Sequence, residues 1–220
     1  MKEFDPVAYR QMVKSYQDRD DPTGWFDSIY TDAGGDHRGV FWADLEPCPY
    51  LLKWLGNCSF KHAGRTAIVV GCGVGDDAEA LSEAGYEVTA FDISPEAIRL
   101  CKKRYPETRV NYLVADLFAY PAEWAEHFDL VYECNTIQVL PGTYRIQARD
   151  AMVSLLAAQG YLLVSCRSRV TGEQEEDIPL PLDKEEMDGF IRCGLREESF
   201  AAYDDTQDPP VPHFFASYQK

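Results

Sequence analysis

Between residues 65 and 170, short apolar runs alternate with stretches whose apolar positions recur every three to four residues. Runs bounded by Gly, Pro, Asn or Asp predict strands, the wider spacing predicts helices, and their alternation predicts a parallel sheet. Strands are predicted at 66–70, 86–93, 111–115, 128–133 and 160–166. A helix over 77–84 is stopped by Gly85, and another is opened by Ser94-Pro95-Glu96. Ser94 suits its N-cap and Pro95 its first helical position, where a missing N–H costs nothing. A helical pattern spans 144–158. Asp183, followed three residues later by Glu186, marks a further helix start, with an end expected near Gly194.

Two more strands, 195–203 and 213–220, are separated by the turn-rich DDTQDPPVP. Strands joined by a loop rather than a helix pair antiparallel. The expected fold class is therefore α/β: a Rossmann-like, seven-stranded, mostly parallel sheet with a C-terminal antiparallel hairpin and helices on both faces. One domain spans 1–220, with this core at 65–220. Residues 1–60 read differently, as a helical stretch (DPVAYRQMVKSYQ), then WFDSIY, DAGGD and FWADLEPCPYLLKWL. So aromatic a segment ahead of the first strand is expected to be a cover or lid on the sheet.

Charge narrows the partners. A formal net charge of −16 and the lack of a Lys/Arg cluster exclude a phosphate backbone or an anionic membrane. No segment reaches the ~18 apolar residues of a membrane span, and MKEFDPVAYR is too polar for a secretory signal, so a cytoplasmic protein is expected. Seven cysteines, with no C-x-x-C pair and no His at zinc spacing, point to reduced thiols and no metal site. Cys72 and Cys134 have no cation beside them in sequence to activate them, so they are expected to pack.

The stretch IVVGCGVGDD, 68–77, carries the chemistry. A strand entering a glycine turn and then a helix exposes backbone N–H groups and lets a ligand approach closely. Dinucleotides and S-adenosylmethionine both use that device. Counting from Gly71, the third glycine of the dinucleotide fingerprint is replaced by Asp76, followed by Asp77, where a diphosphate would be repelled. A cofactor bearing an ammonium and a sulfonium tolerates these acids. Asp92 ends the second strand, where an acid accepts hydrogen bonds from ribose hydroxyls. Asp116 follows the third strand, and Glu133-Cys134-Asn135 ends the fourth.

This pattern resembles motif I of the class I S-adenosylmethionine-dependent methyltransferases. Trp25, Tyr30, Trp42, Asp44, Pro47 and Pro49, with PLPLDKEEMDGF at 179–190, resemble the thiopurine and halide/thiol branch most closely. The resemblance implies cofactor contacts from Trp25, Gly71, Cys72, Gly73, Asp92, Ile93, Asp116, Leu117, Glu133 and Cys134. Asp116 would receive the adenine amino group, with Leu117 packed nearby. Tyr30, Trp42, Asp44 and Asn135 are the candidates for the substrate pocket. Val69 departs from the family at a position where many members carry an acid.

The expected activity is methyl transfer from S-adenosylmethionine to a small molecule, a thiol or other soft nucleophile among the options, with S-adenosylhomocysteine as product. A soft thiolate needs no general base, whereas a hydroxyl does. Asp44, Glu133, His37 and His213 are the available bases, and none is assigned catalysis. The strand-four end ECNT lacks the Asn/Asp-Pro-Pro-aromatic tetrad of amino methylation. Alternatives are a non-catalytic module that binds the cofactor and, behind it, an NAD-dependent oxidoreductase.

Overall fold

The computed structural model describes residues 5–19, 21–58, 60–173 and 178–220. Seven strands form one sheet: β1 (Thr66–Val70), β2 (Glu87–Asp92), β3 (Asn111–Val114), β4 (Phe128–Cys134), β5 (Leu156–Arg167), β6 (Arg196–Asp204) and β7 (Pro212–Gln219). Their order is β3-β2-β1-β4-β5-β7-β6. The first five are parallel, and β7 pairs antiparallel with both β5 and β6. The eight helices are α1 (Pro6–Gln17), α2 (Trp25–Asp32), α3 (Pro49–Asn57), α4 (Asp76–Glu83), α5 (Pro95–Arg104), α6 (Gly142–Leu155), α7 (Lys184–Met187) and α8 (Gly189–Arg192).

The apolar runs are nearly continuous because both sheet faces are covered. Along β1, Ala67 and Val69 enter one cluster with Leu81, Ile98 and Leu51, while Ile68 and Val70 enter the other with Met152, Leu162 and Phe190. A third cluster joins the N-terminal cover to α5 through Tyr30, Val40, Val74, Ala97 and Leu100.

Two predicted boundaries move. Residues 156–158, expected as helix, belong to β5: Leu156 is fully buried and pairs with Phe128, and the register then slips before Leu130 meets Tyr161. Pairing and burial override the helix propensity of Leu-Ala-Ala. The helix expected from Asp183 keeps its capping box but is interrupted at Asp188, giving α7 and α8. Gly189 lies so close to α6 that a Cβ there would stand 1.9 Å from the Arg149 guanidinium.

Ser94 caps α5 as its sequence predicts, accepting from the Ala97 amide at 3.0 Å. Its hydroxyl also donates to Asp27 of α2 at 2.5 Å, so one side chain serves both the helix start and the cover. Ser94→Ala should lower unfolding stability by about 1–2 kcal/mol, read by urea denaturation, because cap and tether are lost together.

Candidate cofactor and acceptor site

The strand order brings the carboxyl ends of β3, β2, β1, β4 and β5 into one row. Chain direction reverses its progress between β1 and β4, and ligands of open α/β sheets lie outside the strand ends at such a point.

Gly71, Gly73 and Gly75 all have positive φ, 62°, 56° and 96°. The alternate glycines thus form a left-handed zigzag that other residues adopt only under strain. Space demands two of them as well. A Cβ on Gly71 would stand 2.4 Å from Thr136 Oγ1, and one on Gly75 would stand 2.5 Å from the Tyr112 hydroxyl. At Gly73 the nearest such neighbour is the Tyr30 hydroxyl, 3.4 Å away.

Asp92 is buried at the end of β2. Its Oδ2 accepts from the Gly73 amide at 3.0 Å and its Oδ1 from the Ser94 amide at 2.9 Å. Burial pushes its carboxyl up to about 6 against those amides. Ile93 is half-buried beside it. Burial pushes the Cys72 thiol up, and the nearby Cys101 thiol adds to it. Asp116 is half-buried and caps a 3-10 turn (Leu117–Ala119) by accepting from the Phe118 amide at 2.8 Å, while Leu117 joins the core.

Glu133 is fully buried, and burial pushes it up to about 8. One oxygen accepts the Thr136 and Ile137 amides at 3.0 and 3.1 Å, and among the described residues Oε1 has no hydrogen-bond partner. Those bonds hold the turn that lays Thr136 across Gly71. Asn135 follows in the left-handed region, φ 61°, its amide on the Ser165 carbonyl.

The two aspartates after the glycines have protein partners. Arg104 grips Asp76 with two bonds of 2.6 Å, so that carboxylate is neutralised and carries less of the case against a diphosphate than its sequence suggests. Asp77 accepts from the Cys48 amide at 2.7 Å and the Tyr132 hydroxyl at 3.0 Å, and burial pushes it up to about 7. The glycine spacing separates this loop from a dinucleotide fingerprint more firmly than the Asp76 charge does.

The cover supplies the roof. Tyr30 is buried near Asp92. Trp25 is 1% exposed, its indole N–H on the Pro22 carbonyl, and it meets Trp42 edge-on at 6.0 Å. Trp25 is therefore packed within the cover, and Tyr30 is the aromatic that faces the glycine loop. Trp42, half-buried, stands edge-on to Tyr30 at 5.5 Å. Asp44 lies at the surface, its carboxyl raised by desolvation and by Glu46. His37 opens a short 3-10 turn, and His213 is buried with Nδ1 on the Val211 carbonyl and its ring stacked on Tyr203.

Three features were not foreseen. Asp27 ties α2 to the start of α5 through Ser94. Arg167 stands at the end of β5. The Cys48 thiol is pulled well below its usual range by the Cys134 thiol and by the Leu51 and Tyr50 amides at the start of α3. Cys-Pro at a helix start was the available signal for that last one.

A model of the methyltransferase domain matches residues 67–160, the stretch that carries β1 to β4 and the glycine loop. Over that stretch the chain carries a methyltransferase domain, and the match supports an S-adenosylmethionine-dependent methyltransferase. Among its relatives are ubiquinone biosynthesis O-methyltransferases. The one from Nitrosospira multiformis is 32% identical over 37% of this chain and 35% of its own length. The one from Xylella fastidiosa is 28% identical over 85% of this chain and 78% of its own. The methyltransferase also shares its fold with the N-methyltransferase NodS of Bradyrhizobium japonicum, solved with S-adenosylhomocysteine, at TM-score 0.65 and 18% identity over 88% of this chain and 99% of that one. Among the described residues, no helix is long and apolar enough to cross a membrane.

The buried acids give the methyltransferase a pH signature. The Glu133 carboxyl of the unfolded chain loses its proton near the ordinary 4.5, whereas the folded one holds it up to about 8. Stability from this group is therefore lost as pH rises through that window. Glu133→Gln copies the protonated form, so its melting temperature should fall less than that of the wild type between about pH 5 and about pH 8 by thermal denaturation. Equal slopes would mean that Glu133 is ionised in the fold.

Proposed function

We propose that the methyltransferase passes a methyl group to a small-molecule acceptor seated over the carboxyl ends of β4 and β5. The observation that carries the reading is the run of three left-handed glycines whose middle amide is held by the buried Asp92. Those residues fit S-adenosylmethionine: the loop has no Cβ to block an approach, and a carboxylate with lone pairs to spare stands where a diol would lie. When bound, the cofactor supplies an activated methyl on a sulfonium.

The protein's share is alignment and exclusion of water. In this reading Asp92 accepts from the ribose hydroxyls, Asp116 and Leu117 flank the adenine, and Tyr30 closes the loop from above. Glu133, Cys134 and Asn135 border the methyl position. The relatives named for O-methylation favour an oxygen acceptor, and the segment resembling the thiopurine and halide/thiol branch favours sulfur. The absence of an assigned base fits sulfur. A panel of catechols and aromatic thiols, with S-adenosylhomocysteine formation followed by chromatography, decides between them. No turnover on any, together with tight S-adenosylhomocysteine binding, would instead support a binding module without catalysis.

Asp92→Asn keeps the shape and removes the charge. It should weaken S-adenosylhomocysteine binding by about 1–3 kcal/mol in calorimetry through loss of charge-assisted hydrogen bonds. Unchanged affinity would refute the ribose role.

A further inference from the structure

Beyond the end of β5, residues 168–173 and 178–184, the start of β7 and Arg10 of helix α1 border a groove of about 1090 Å³. Val170, Ile178, Val211 and Phe214 give it apolar surface, and Val170 is 69% exposed there. Arg10, Arg167, Arg169 and Lys184 line it too. Four cations around one hollow are unexpected in a chain of net charge −16.

Three of the four, Arg10 among them, are engaged by other groups of the protein. Arg169 pairs with Asp183 at 2.5 Å and Glu186 at 2.7 Å, and Lys184 pairs with Asp188 and Glu197. The Glu173 carboxylate, also on the groove, accepts from the Val170 amide at 3.2 Å. Arg167 differs. Among the described residues its guanidinium meets no acceptor at hydrogen-bond distance and no carboxylate at ion-pair distance, although Asp44, Asp205 and Tyr9 stand near enough to feel its charge. It is half-buried, so water satisfies only part of its five N–H donors. That planar fork matches a carboxylate or phosphate in two-point contact.

The position relates the groove to the reaction. Arg167 lies two residues beyond Ser165, which pairs with Cys134 at the end of β4. The groove therefore opens on the same sheet edge as the glycine loop, two strands along.

We propose that this groove seats an acidic acceptor, an amphipathic small molecule whose apolar body lies on Val170, Ile178 and Phe214 and whose carboxylate or phosphate is held by Arg167. The word acceptor rests on the methyltransferase reading; the anion site does not. Calorimetry with 3-phenylpropanoate, phenyl phosphate and the neutral 3-phenylpropanamide, with and without S-adenosylhomocysteine, tests it. At least one acid should bind about tenfold or more tighter than the amide, the stronger acid naming the head group. Arg167→Gln should bring the acids to the level of the amide, Arg167→Lys should keep part of the preference, and both should leave S-adenosylhomocysteine affinity unchanged. Acids no tighter than the amide, including the case in which none binds, or a preference that survives Arg167→Gln, would overturn the proposal. Failure of S-adenosylhomocysteine to bind while the acid preference holds would strike the methyltransferase reading and leave the anion site standing.

Discussion

The bond between the Gly73 amide and the Asp92 carboxylate joins the end of β1 to the end of β2, and the rest of the site depends on it. A buried carboxylate is costly unless its oxygens are occupied, and here each takes one backbone N–H. Those two amides fix the glycine loop and the entry to α5 together. Ser94, at that entry, caps the helix and reaches Asp27, so the same few atoms also set where the aromatic cover lies. Fold stability and the shape of the candidate site share one set of hydrogen bonds, so the loop cannot be adjusted without moving the cover.

A second clamp works from the other side of the strand-order reversal. Glu133 holds the turn that places Thr136 over Gly71, and the Thr136 hydroxyl donates to the Val70 carbonyl at 3.2 Å. Gly71 is thus enclosed from both directions. The carboxyls of Asp77, Asp92 and Glu133 are all pushed up by burial, so each gains from any positive charge brought near it. An edge lined with such groups suits a cationic ligand better than a polyanion.

The fold was legible where apolar runs reported burial on both faces, as in β1 and β4, and where cap chemistry was local, as at Ser94 and Asp183. It was least legible at 156–158, where a bulged strand pair decides what helix propensity alone would get wrong. In the candidate site, the glycine turn and the place of Asp92 were legible because backbone conformation and a strand end are local properties. Arg104, Asp27 and Arg167 did not, since their meaning comes from neighbours 28, 67 and more residues away or from a cavity that only the folded chain creates. The doublet Asp76-Asp77 was noticed for its charge, but it serves to bind α5, α3 and β4 to the helix after the loop.

The sheet order β5-β7-β6 has a consequence for assembly. β7 follows β6 in the chain yet lies between it and β5, so β6 joins the sheet only through β7. Without β7, the flank of β5 would be a bare edge of unpaired backbone groups. One strand therefore seals two neighbours, and its register sets His213 opposite Arg167.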